Sequence, residues 1–128
     1  MVSRISSGVE VKVETFYQHD FSDMVKGEYV FAYRITIENL NDFTIRLKSR
    51  RWFIFDSGND IQVVEGEGVV GVQPILPPGI NYQYTSACHL SSDMGRMSGS
   101  YIMENLYNKQ EFEVEIPSFE LIVPVKLN

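Results

Sequence analysis

The chain has 128 residues, 44% of them hydrophobic and 22% charged, and a formal net charge of −6. That length suits one domain with its own core, and the acidic balance argues against a general binder of nucleic acid or anionic membranes, which needs a positive field. One cysteine, Cys88, excludes an internal disulfide, and with no signal-type apolar run at the N-terminus and no run long enough to span a bilayer, the expected address is cytoplasmic.

Residues 1–7 read as a flexible leader, and residues 8–128 as a single domain. From Val9 the chain alternates, with Val9, Val11 and Val13 against Glu10, Lys12 and Glu14, the period-2 signature of a half-buried strand running to Tyr17. His19–Asp23 and Lys26-Gly27 form a polar loop. Glu28–Asn39 is the clearest strand, with Tyr29, Phe31, Tyr33, Ile35 and Ile37 on one face. Asn39–Asp42 reads as a turn, because Asn and Asp bond the local backbone and tolerate left-handed conformations. A long hairpin into Phe43–Asp56 is expected from it.

Phe43–Asp56 breaks its own alternation. Arg46, Lys48 and Arg50 share a parity that Trp52 and Ile54 then take over. One face stays buried through that switch only if a residue is inserted, so a β-bulge is predicted near Ser49–Arg51. Asp56–Asp60 is a second turn and Ile61–Glu65 a short strand.

Next comes Gly66–Gly79, GEGVVGVQPILPPG, the richest stretch in glycine and proline. After it, Tyr82, Tyr84, Ser86 and Cys88 fall on one face of a strand. Leu90–Arg96 is a loop and Met97–Asn105 a strand. Asn108-Lys109 closes a hairpin into Glu111–Pro117, and Phe119–Val125 is an apolar tail that adds an edge strand within limits set by Pro117 and Pro124. No window carries a sustained helical period. Seven to eight strands without crossover helices mean antiparallel pairing, and the predicted fold is an all-β, two-sheet β-sandwich.

Several segments are similar to those of a known family. They are Tyr33–Asn39 (YRITIEN), Ser49–Trp52 (SRRW), Gly66–Pro74 (GEGVVGVQP), Pro78-Gly79, Tyr84–Ser86 (YTS), Met97–Met103 (MSGSYIM) and Phe112–Pro117 (FEVEIP). In order and spacing the chain resembles the bacterial ApaG proteins, whose domain also recurs in some eukaryotic F-box proteins and in a protein that interacts with a DNA polymerase. The resemblance implies a fibronectin type III-like or immunoglobulin-like sandwich and no established enzymatic activity. It also implies a link by gene neighbourhood to dinucleoside tetraphosphate metabolism and, for some members, to cobalt and magnesium resistance.

Gly66-x-Gly68-x-x-Gly71 formally matches a phosphate-binding fingerprint. That fingerprint works when a helix N-terminus follows the last glycine and faces the pyrophosphate. Here Pro74, Pro77 and Pro78 oppose a helix, and Glu65 and Glu67 repel phosphate. Nucleotide binding is disfavoured, and the glycines are expected to shape a crossing between the sheets. Gly66, Glu67, Gly68, Gly71 and Gln73 are the candidate ligand or partner loop.

Arg46, Lys48, Arg50 and Arg51 are a candidate anion or partner patch, weighed against a solvated row paired with glutamates across the sheet. Trp52 reads as a core aromatic. Cys88 and His89 point to opposite faces of one strand, so they form no nucleophile pair, and Cys88 is expected buried and inert. His19, Asp20 and Asp23 lack the glycine and closing glutamate of a calcium loop, and one cysteine with two separated histidines does not make a zinc site. Glu111, Glu113 and Glu115 read as an exposed strand face. No catalytic residue, metal ligand or cofactor is assigned. The expected role is non-enzymatic binding of another protein, with a nucleotide or dinucleoside polyphosphate sensor and a cobalt or magnesium homeostasis factor as alternatives. Nucleic acid and membrane are not expected partners, and the oligomeric state, a homodimer included, stays open.

Overall fold

The computed structural model describes residues 1–124. Among the described residues, nine strands form two antiparallel sheets: β1 (Val2–Ser6), β2 (Val9–Tyr17), β3 (Tyr29–Asn39), β4 (Ile45–Asp56), β5 (Gln62–Glu67), β6 (Ile75–Leu76), β7 (Asn81–Leu90), β8 (Met94–Asn105) and β9 (Glu111–Ile122). One sheet has the order β1-β2-β3-β7. The other has the order β5-β4-β8-β9, with β6 also paired to β4. A 3₁₀ turn spans His19–Phe21. This is the sandwich the alternation predicts, in an arrangement of the immunoglobulin and fibronectin type III kind.

Each sheet turns its apolar parity inward. Val9, Val11, Val13, Phe31, Tyr33, Ile35 and Ile37 meet Ile45, Leu47, Trp52, Met97, Tyr101, Met103, Val114 and Ile116, all buried. Each such side chain contributes about 1.5–3 kcal/mol on leaving water. Trp52 packs edge-on against Tyr33 and Phe119, with ring centroids 5.5 and 5.8 Å away. The expected core role of Trp52 therefore holds.

Three expectations about connectivity fail. Residues 1–7 are not a leader, because Val2–Ser6 pairs with Val9–Val13 through a tight turn at Ser7-Gly8, both at positive φ. The segment also finishes the edge of the opposite sheet. The Ser7 hydroxyl donates to the Glu113 carbonyl (2.9 Å), and the Glu115 N–H donates to the Ser6 hydroxyl (2.8 Å). Those backbone groups would otherwise lie open, which is why an unremarkable sequence is held in place.

Nor do the third and fourth strands form a hairpin. β3 pairs with β2 and β7, whereas β4 belongs to the other sheet. The turn residue Asn39 is fully buried at this corner. Its amide donates to the carbonyls of Phe43 (2.8 Å) and Leu76 (2.9 Å), and its Oδ1 accepts from the Asn41 N–H (3.0 Å). One side chain thus ties the outgoing and returning connections between sheets.

Pro117 likewise does not end its strand. The β8–β9 register shifts between Met97 and Gly99, so two residues of β9, Pro117 and Ser118, oppose Ser98 alone, and pairing resumes at Phe119 and runs on to Ile122. Proline has no N–H to give the ladder, and a bulge is where that costs least. Of the expected tail strand, Val125 lies outside the described residues.

Candidate functional site

The bulge in β4 decides where the cations go. The register with β8 shifts between Leu47 and Ser49, so Lys48 is the inserted residue, just before the predicted interval. Ahead of it Arg46 faces outward. Behind it the parity reverses, with Arg51 outward and Arg50 turned to the inner face it shares with Trp52. The cross-strand partners agree: Arg50 lies opposite Gly66 on one side and the buried Tyr101 on the other.

The four cations are therefore not one patch. Arg46 pairs with Glu104 (3.6 Å), Lys48 with Glu111 (2.7 Å) and Arg51 with Glu65 (2.9 Å). These are the cross-sheet glutamate pairs of the solvated-row reading. The charge-assisted bond to Glu111 raises the Lys48 pKa above its ordinary value. Arg50 differs. Its Nη1 donates to the carbonyls of Glu67 and Gly68, both at 3.0 Å, and among the described residues it has no carboxylate partner. Its guanidinium occupies the space that Gly66, lacking a side chain, leaves empty.

The glycine loop folds against the same bulge. The Lys48 carbonyl accepts from the Gly68 N–H (2.8 Å) and from the Gln73 amide (2.9 Å), and the Leu47 N–H donates to the Pro74 carbonyl (3.0 Å). Val69 and Val72 exchange backbone hydrogen bonds of 2.8 and 3.1 Å around Val70 and Gly71, which both have positive φ. Such turns match the twist of paired strands. Val69 is fully buried, whereas Val70 and Val72 stand exposed. No helix follows Gly71, and the amides of Gly68, Val69 and Val72 are spent within the loop or on β4. The backbone arrangement of a phosphate cradle is thus absent from this loop. Contrary to expectation, the three glycines do not carry the chain between sheets. β5 and β6 both pair with β4, and the crossing follows at Pro77–Gly79.

Gly68 has φ +57°, and a Cβ there would lie 2.0 Å from the Val72 carbonyl oxygen. Gly71 has φ +78° and open space around its Cβ direction. The strain of a left-handed L-residue is about 1–2 kcal/mol. Gly71→Ala is expected to lose no more than that in urea unfolding. Gly68→Ala is expected to lose clearly more, since a backbone atom blocks its methyl group.

Beside the loop, the sandwich is open between β5 and β7, and a cleft runs inward. Its two lobes, about 330 and 180 Å³, share Tyr33, Arg50, Trp52 and Ser86. Behind it the Tyr84 and Tyr101 hydroxyls share a 2.5 Å hydrogen bond. Burial holds all three phenols, Tyr33 included, above their ordinary pKa, so they stay neutral donors and acceptors. Cys88 closes the larger lobe. Burial, reinforced by the charge of Asp56, pushes its thiol up to about 11, which suits an inert packing residue.

Elsewhere, Asp23 spends Oδ1 on the backbone N–H groups of Val25 and Lys26. Among the described residues, no three His, Cys, Asp or Glu side chains gather as a metal site. Glu113 stands exposed between the paired Glu111 and Glu115, the last bonded to Arg4 (2.8 Å). No helix of the described residues is long and apolar enough to cross a membrane. The cleft is what reading strand by strand misses. Its one signal is the parity switch, which sets Arg50 on the face of Trp52.

Known proteins share this fold and between a third and nearly half of the aligned residues. The ApaG domain model matches residues 19–105. Protein ApaG of Brucella suis is 46% identical over 124 residues, 97% of this chain and 95% of its own length. A Bordetella pertussis crystal structure described under the name ApaA superposes with a TM-score of 0.87 at 40% identity, covering 91% of this chain and 94% of that one. An X-ray structure of a structural-genomics target superposes with a TM-score of 0.88 at 34% identity, covering 98% and 94%. On the domain match and the near full-length identity, this chain belongs to the ApaG family.

Proposed function

We propose that this domain is a non-catalytic binding module that takes a segment of another protein along its open side, between β5 and β7. The observation that carries this reading is the free edge of β7. Asn81–Leu90 is ten residues long, contains no proline and no Lys, Arg, Asp or Glu, and has no strand on its second edge among the described residues. Unused edges of that length are usually blunted by charge, proline or a covering element, because they template pairing with another chain. A partner strand gains main-chain hydrogen bonds there and selectivity from alternate side chains. The rim adds an apolar contact, since Val70, which lines the smaller lobe, is well exposed. A reducing cytoplasmic setting fits the lone buried Cys88.

The test is capture of partners from the native cytosol by the wild-type domain, by a variant with residues 68–73 replaced by a plain turn, and by Thr85→Lys, which charges the β7 edge. Capture is expected to fall about tenfold or more with Thr85→Lys, and in part with the loop replacement. Undiminished capture by both variants, each shown folded by circular dichroism, counts against the reading.

A further inference from the structure

The cleft between the open edges has a charge character unlike the rest of the molecule. The chain carries 17 Asp and Glu against 11 Lys and Arg. The outward cations of β4 are each matched to a glutamate. The residues lining the two cleft lobes include one arginine and no carboxylate. Arg50 has five donors in a planar fork, and its two bonds to Glu67 and Gly68 both come from Nη1. The Ser86 and Tyr33 hydroxyls share the lining with it, and Trp52 forms an apolar wall.

Strand geometry says what reaches that point. Residues of a strand added beside β7 alternate between the outer face and the space between the sheets. The inward residues of β7 itself are Tyr82, Tyr84, Ser86 and Cys88, and Ser86 borders both lobes. A residue of the added strand opposite Ser86 points the same way, towards the gap over Gly66 that the Arg50 guanidinium fills. Resting on the edge-pairing reading above, we infer that the cognate segment is an extended peptide carrying an acidic residue. Its carboxylate enters the cleft and bonds Arg50, while its backbone pairs with β7. An acidic side chain on a partner supplies the one charge the cleft lacks, and a bond between guanidinium and carboxylate is stronger than one between neutral groups. A neutral segment would leave the guanidinium desolvated and unmatched.

Trp52 is the sole tryptophan, so its fluorescence reports the cleft directly. The probes are two capped heptapeptides of alternating threonine and valine, one with a central glutamate and one with glutamine there. The glutamate peptide is expected to change the Trp52 emission saturably, with a Kd about tenfold or more below that of the glutamine peptide. Added salt should narrow the gap, and Arg50→Met should abolish it. If Arg50→Met fails to fold, the two peptides on the wild-type protein decide the matter. Equal binding by both peptides overturns the acidic anchor and leaves edge pairing standing, whereas no response to either overturns both. Acetate or inorganic phosphate matching the glutamate peptide in affinity overturns it in favour of a small-anion site. Concentration-dependent dimerisation, lost in Thr85→Lys, overturns it in favour of a second copy on the edge.

Discussion

Trp52→Ala is expected to lower the stability of the domain by about 3–5 kcal/mol, the usual cost of deleting a large aromatic from a packed core. Trp52 is 3% exposed and touches Tyr33 from the facing sheet and Phe119 from its own. Its removal opens a cavity beside the cleft, where the described residues supply no further strand to close over it. Small domains have about 5–15 kcal/mol in total, so the loss shows as a large drop in urea midpoint. An unchanged midpoint would mean that the chain does not reverse its parity at Lys48. Trp52→Phe retains an aromatic wall and is expected to lose markedly less.

Asn39→Ala is the second large effect, for a different reason. The alanine removes few apolar contacts but withdraws both donors from the Phe43 and Leu76 carbonyls and the acceptor from the Asn41 N–H. A buried polar group left without a partner costs about 1–3 kcal/mol. A loss of about 3 kcal/mol is expected, with amide exchange accelerating first at the two corners that Asn39 ties together. Asn39→Asp tests the mechanism further. It has the right size and keeps the acceptor, but offers the carbonyls a charge in place of two donors, so it is expected to fare no better than alanine. Stability retained in Asn39→Asp would show that shape, and not hydrogen bonding, holds the corner.

Both effects depend on features that sequence periodicity half reveals. The parity switch between Lys48 and Trp52 forces an inserted residue, because side chains alternate strictly along a strand. It does not say which residue is inserted, and that choice sends Arg50 inward and leaves Arg46, Lys48 and Arg51 outside with their glutamates. Asn39 shows the converse. Its residue type and its neighbours Asn41 and Asp42 are those of a surface turn. Only the return of Leu76 from far along the chain makes the position a buried junction. The glycines of Gly66–Gly71 were legible as backbone devices, yet the Lys48 carbonyl that anchors their loop belongs to a strand earlier in the chain.

Local physics in the chain, namely two-residue alternation, turn chemistry and proline placement, was enough to determine an antiparallel double layer with Trp52, Tyr33 and the valines of Val9–Val13 inside. Membership of a sheet, the anchoring of residues 2–6 along β9 and the opening between β5 and β7 were decided by tertiary structure alone. The reason is that alternation specifies which face of a strand is buried but carries no information about its neighbour. That is settled by backbone groups far apart in sequence finding partners, and at β7 by one edge that finds none within the described residues.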